Sequence, residues 1–247
     1  MLITPRPPHT ALRTALAHRL RSAARLGLAG LAIAALAVPA PPQAAAAPAL
    51  PAYAPAINPP GCPQYPQPPP FTYHDPGSGF DYTVDALGRP IHALNSATVR
   101  TGGDIRNDAC TRAVGNIMGT INGRPAGGQG WHGGHLVADI LHGPSERYNL
   151  VPMTVNFNTG LYKSFENVAS LCLNTGHVTV DRYEVEVSYP ATPPATDFPS
   201  RYHLRMHLTG NNGHQEDIDM ILPWNPTDAD KEAATEILTA ARDNLAC

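Results

Sequence analysis

Between Trp131 and Asn167 the chain reads WHGGHLVADILHGPSERYNLVPMTVNFNTGLYKSFEN, and no other stretch limits the fold as much. Gly133 and Gly134 disfavour a helix around His135, because glycine gives up the most backbone freedom on becoming helical. NLVPM, from Asn149 to Met153, is strand-like and too brief for a helix. Leu161, Phe165, Val168, Ala169 and Cys172 then recur at helical spacing, which predicts a helix starting near Asn158. The expected order is strand, strand, helix, carrying His135, Asn158 and Glu166 together. A histidine, an asparagine and a glutamate so arranged suit metal-assisted phosphodiester cleavage. That chemistry needs a base for water, a cation for phosphate charge and a frame that aligns attack.

Histidine is the natural base, since its ordinary pKa of about 6.5 lies near working pH. The preceding glycines predict an exposed imidazole that a substrate backbone can approach closely. Asn158, Tyr162 and Glu166 are spaced i, i+4, i+8 and would form one stripe on the helix. A neutral amide oxygen suits Mg²⁺ retaining most of its waters, and Mn²⁺ or Ca²⁺ accept the same donors. The plainer readings are that Asn158 is a helix N-cap and Tyr162 a packing residue. A rival metal reading takes His132, His135 and His142 as a zinc site, although the chain has no HExxH motif to support it. Trp131 reads equally as core or as a base-stacking ring. His203 and His207 alternate with Leu204 and Met206 and read as the solvent face of a strand.

The flanking sequence sets the compartment. Residues 1–46 carry five arginines, no acid, a short apolar run at 26–38 and small residues at 44–47, the three parts of a Sec-type secretory signal. The run is short of the roughly 20 residues a spanning helix needs, so cleavage would leave no membrane segment. Residues 47–79 are proline-rich and read as an extended linker or arm. Residues 80–247 form the expected folded domain. Its cysteines, with Cys62 ahead of them, number four (Cys62, Cys110, Cys172, Cys247), which in an oxidising compartment predicts two disulfides with three pairings open. Without the five leader arginines the chain holds 12 basic against 20 acidic residues, a net charge of −8 with histidine neutral. Such a protein does not grip nucleic acid by counterion release alone.

Within the domain, FDYTVDALGRPI (80–91) predicts a hairpin, 104–120 fits helix or strand, and 121–130 is a glycine-rich loop. Alternation predicts strands at 177–189, 202–208 and 218–222, followed by a helix capped by Thr227 whose apolar positions are Ala233, Ile237, Leu238, Ala241 and Leu245. An α+β fold, an antiparallel sheet flanked by helices, is the economical architecture.

GGHLVADILHGPSERYNLVPMTVNFNTGLYKSFEN resembles the active-site segment of the DNA/RNA non-specific endonucleases of the ββα-metal superfamily, closest to the branch common among secreted bacterial nucleases and toxins. YTVDALGRP resembles that branch too, and the likeness spans about 80–210. It implies His135 as general base, Asn158 as the direct metal ligand, Glu166 acting through metal-bound water, and Asn149 as an amide that stands behind these groups or orients substrate and helps hold the hairpin. It also implies cleavage of DNA and RNA leaving 5′-phosphate ends. His132, Gly134 and Tyr162 would contact substrate. The chain departs from the family where an acid usually precedes the glycine–histidine pair: His132 stands there, to replace that acid, to bind substrate phosphate when protonated or to add a metal ligand. A motif arginine is also missing, and Arg89, Arg106, Arg124 and Arg147 are its replacements in prospect, Arg89 first. A scaffold that binds without cutting is the alternative from another class. A toxin role would add an immunity or inhibitor protein as partner; the sequence sets no oligomeric state.

Overall fold

The computed structural model describes residues 61–103, 107–122, 130–190 and 199–247, with backbone alone at 118–122. The signal reading of residues 1–46 falls outside these, as do Arg106 and Arg124. The elements are β1 (Phe71–Asp75), β2 (Phe80–Val84), β3 (Pro90–Asn95), α1 (Asp108–Asn122), β4 (Trp131–His135), β5 (Leu150–Thr154), α2 (Val155–Phe157), α3 (Lys163–Asn174), β6 (Val178–Ser188), β7 (Arg201–Gly210), β8 (Gln215–Pro223) and α4 (Asp228–Leu245). Six strands form an antiparallel sheet in the order β1-β2-β3-β6-β7-β8, and β4 with β5 forms a separate hairpin. This is the α+β class expected. Because β3 and β6 are neighbours, everything from α1 to α3 is one excursion between two central strands.

One sheet face is apolar and covered. Tyr202, Leu204, Met206 and Leu208 alternate inward along β7, as do Tyr183, Val185 and Val187 along β6 after a bulge at Val180/Arg182. α3 packs on β6 and on α4, and α4 packs on β8. Each fully buried large side chain contributes about 1.5–3 kcal/mol, and rings dominate here. Phe157 meets Tyr202 at 4.8 Å between ring centres, and Phe165 meets Tyr183 at 5.1 Å.

Several expectations shift. β1 lies inside the stretch read as a linker, so the folded unit begins before residue 80. FTYHD alternates, and at a sheet edge the prolines before it cost no ladder bond. Tyr65 donates from its hydroxyl to the Gly88 carbonyl, 2.8 Å, pinning the arm further. The segment 108–122, ambiguous from periodicity, is helical. In α4 the inward residues are Ala234, Leu238, Ala241 and Leu245, while Ala233 and Ile237 face solvent. Thr227 caps it in a reciprocal box with Asp230. The disulfides are Cys62–Cys110, tying the arm to α1, and Cys172–Cys247, tying α3 to the last residue. Chain entropy gives such cross-links about 2–4 kcal/mol each.

The other sheet face is charged. Glu184, only 3% exposed, accepts from His92 Nε2 at 2.9 Å and from Arg182, with Arg205 Nη2 3.0 Å away. His92, Glu184 and Glu186 bring ligand atoms within 4.8 Å of one another. Arg182 and Arg205 already supply the positive charge a cation would bring, so this is an ion-pair network. Burial raises the Glu184 carboxyl, but the bonds from His92 and Arg182 and the charge of Arg205 outweigh it and hold the group below the usual glutamate range. A depressed folded-state pKa stabilises the fold above the unfolded value of 4.5 and is lost as pH falls through the folded value. Urea titrations should therefore place Glu184→Gln about 1–3 kcal/mol below wild type at neutral pH, converging in acid. A gap that stays constant with pH would show that shape, not charge, is responsible.

Candidate active site

β4 and β5 pair in the register Trp131↔Thr154, His132↔Met153, Gly133↔Pro152, Gly134↔Val151 and His135↔Leu150. The connection between them is long, and one buried amide folds it. Asn149 is fully buried; its Oδ1 accepts from Val137 N, and its Nδ2 donates to Val137 O and Pro144 O, each at 2.9 Å. The Asn149 carbonyl accepts from Leu136 N at 2.8 Å. Both amide hydrogens are therefore spent on backbone in a dry position. Asn149 thus ties the loop to the hairpin through backbone contacts.

His135 ends β4 and is 8% exposed, not open as the glycines led us to expect. Its Nε2 lies 3.0 Å from Ser145 Oγ, itself buried. No spacing in the chain pointed to Ser145 as the partner of this imidazole. The glycines leave room for close packing. A Cβ on Gly133 would fall 2.3 Å from the Thr111 carbonyl oxygen, where α1 crosses the strand. A Cβ on Gly134 would fall 2.3 Å from Met153 Sδ and 2.7 Å from Asn158 Oδ1. Gly134 thus makes room for the Asn158 amide.

The helix carrying Asn158 starts earlier than periodicity suggests. Thr154 is the N-cap, its hydroxyl accepting from Phe157 N, so the capping reading of Asn158 is set aside. Asn158–Tyr162 forms a wide turn in which Gly160 leaves helical dihedrals (φ −104°, ψ −106°) before α3 resumes. The regular stripe of Asn158, Tyr162 and Glu166 is therefore interrupted. Asn158 Nδ2 donates to His132 Nδ1 at 3.1 Å, and its Oδ1 has no hydrogen-bond partner among the described residues.

Tyr162 is fully buried and donates to Leu136 O at 2.7 Å, while Tyr183 reaches the same carbonyl at 3.4 Å. Tyr162 is thus a packing residue, correcting its expected substrate role. Burial first, then neighbouring groups including the half-buried Glu166, raise both phenols well above their usual range, so they stay protonated donors. Glu166 accordingly sits within electrostatic reach of the two phenols that meet at the Leu136 carbonyl.

Arg89 belongs to the β2–β3 turn. Its Nε and Nη2 donate to Asp85 Oδ2 at 2.8 and 2.6 Å, and the guanidinium lies 4.4 Å from the Tyr189 ring centre. It clasps that turn, contrary to the catalytic expectation. Arg147 is nearer the hairpin, 3% exposed and donating from Nη1 to Leu150 O at 2.6 Å. Leu150 is the ladder partner of His135. The zinc reading also falls: His132 engages Asn158, His135 Ser145 and His142 the Thr101 carbonyl. Trp131 stacks on Trp224, centroids 5.7 Å apart and planes at 18°.

A family profile described as DNA/RNA non-specific endonuclease matches residues 71–203, from the first residue of β1 into β7. The chain belongs to that family. The endonuclease is accordingly a nucleic-acid phosphodiester hydrolase. A comparison with curated proteins returned no match. Among the described residues of the endonuclease no helix is long and apolar enough to cross a membrane.

Proposed function

We propose that the endonuclease is secreted and metal-dependent, hydrolysing DNA and RNA with little sequence preference. The observation that carries this reading is the hairpin-and-helix unit. In it His135 ends β4, Asn158 lies across Gly134, and Glu166 is within electrostatic reach of the Tyr162 and Tyr183 phenols.

In this reading His135 takes a proton from a water that attacks phosphorus in line with the 3′-oxygen. A P–O bond forms on the water side, the bond to the 3′-oxygen breaks, that oxygen takes up a proton from solvent, and the products are a 3′-hydroxyl and a 5′-phosphate. Ser145 holds the imidazole at Nε2. Asn158 fits a hard cation, because its Oδ1 is a neutral oxygen donor not used in the bond to His132. Mg²⁺ or Mn²⁺, held by Asn158 with Glu166 nearby, would supply positive charge at phosphate and leaving oxygen. Arg147 donates to the carbonyl of Leu150, the ladder partner of His135, and adds positive potential there. The signal-like residues 1–46 and the two disulfides support export. The acidic balance supports brief engagement of polyanions in place of tight storage.

The test is direct. Oxidised mature protein with Mg²⁺ or Mn²⁺ should degrade supercoiled plasmid through open and linear forms to fragments, and should degrade RNA in parallel. EDTA should abolish both. Intact nucleic acid with every ion, from a folded sample, would overturn the proposal and leave a binding module on the nuclease scaffold.

A further inference from the structure

We infer that His132 is a positioning residue that sets the orientation of the Asn158 amide, taking over as hydrogen-bond acceptor where an acid is usual. The inference rests on the proposed metal role of Asn158.

An asparagine side chain has two nearly equal orientations, oxygen and nitrogen exchanged by half a turn about χ2. As a ligand only the oxygen-forward one is useful, because the amide nitrogen has no lone pair to offer. Something must therefore choose. On β4, His132 and Gly134 share a face, two residues apart along the strand. The Asn158 amide lies across both. Its Nδ2 is 3.1 Å from His132 Nδ1, and its Oδ1 lies over Gly134, occupying space a Cβ would fill at 2.7 Å. Nδ2 can only donate, so Nδ1 accepts and the ring carries its proton on Nε2. The reverse orientation would set the amide oxygen against the Nδ1 lone pair. His132 therefore acts as a selector: the nitrogen is latched, and the oxygen is presented at the end of the strand where His135 stands.

This explains a departure from the family pattern. A carboxylate and an unprotonated imidazole nitrogen are both acceptors, so either can latch an amide N–H. The requirement at position 132 is an acceptor at that distance, not a negative charge.

The experiment compares full-length mature protein with His132→Leu, His132→Asp and Asn158→Ala. Mn²⁺ binding is read by electron paramagnetic resonance of the free ion, and ring protonation by long-range proton–nitrogen NMR. Mn²⁺ affinity should fall about 10- to 100-fold in His132→Leu, as for loss of a group that orients a metal ligand. His132→Asp should restore most of it. The NMR spectrum should show the His132 proton on Nε2, and its removal in His132→Leu should shift the Asn158 side-chain amide resonance. A leucine variant that binds Mn²⁺ as wild type does, an aspartate variant that fails to rescue, or a proton on Nδ1 each overturns the inference. So does nitrogen coupling from His132 to bound Mn²⁺, which would make the imidazole itself a ligand. Asn158→Ala separates the two levels: retained Mn²⁺ binding there overturns the metal reading and this inference with it. Lost binding there beside an unaffected His132→Leu overturns this inference alone.

Discussion

His135→Ala is expected to lower the rate of plasmid cleavage by roughly 10²- to 10⁴-fold, the range for removing a positioned general base. The imidazole sits at the last residue of β4, 8% exposed, with Nε2 at 3.0 Å from Ser145 Oγ. Its surroundings therefore hold one orientation before substrate arrives, which is what a base needs if reorganisation is not to add to the barrier. The same substitution should cost only about 1–2 kcal/mol in stability, the scale of one net hydrogen bond plus a small void. The measurement pairs initial rates with thermal melting. A large rate loss with a near-normal melting curve supports the base assignment. A variant that still cuts at the wild-type rate would move the base elsewhere on the hairpin. A variant that unfolds would be replaced by His135→Gln, which keeps a polar group near Ser145.

Much of this site is legible in the chain because the residues that make it are chemically unusual for their positions. Two glycines before a histidine, then Asn-Leu-Val-Pro, then an amphipathic run, specify strand, strand and helix without tertiary information. What the sequence hides is whatever depends on a neighbour distant in the chain. Gly133 reads as an opening for substrate, and only α1 crossing at the Thr111 carbonyl shows that the space is filled from within. Ser145 is one serine in a polar loop until the loop folds back on His135. The pairing of Cys172 with Cys247 depends on α4 returning along α3. β1 is masked by the run of prolines that leads up to it, although FTYHD itself carries none and pairs fully along β2. The wide turn at Gly160 breaks a helical stripe whose spacing looked regular, since periodicity counts residues and not the dihedrals between them.

Asn149 supplies the sharpest separation between a structural and a catalytic role. Asn149→Ala should destabilise the fold by about 3–6 kcal/mol, because it strands Val137 N, Val137 O and Pro144 O in a fully buried position. Each stranded group costs about 1–3 kcal/mol, and domains of this size have only about 5–15 kcal/mol in total. A shift of that size should lower the melting temperature by roughly 10–20 °C. Asn149→Asp is no rescue: the carboxylate can still accept from Val137 N but faces two carbonyl oxygens with no hydrogen to give. It should be at least as unstable as the alanine variant at neutral pH. Activity should fall as well, because the loop Asn149 ties down carries Ser145 and begins at the Leu136 peptide beside His135. The two losses must appear together if the role is to fix the loop. An Asn149→Ala protein that melts like wild type yet fails to cut would restore the amide to the reaction itself. One that melts early but recovers its rate when assayed well below its transition would place it wholly in the scaffold.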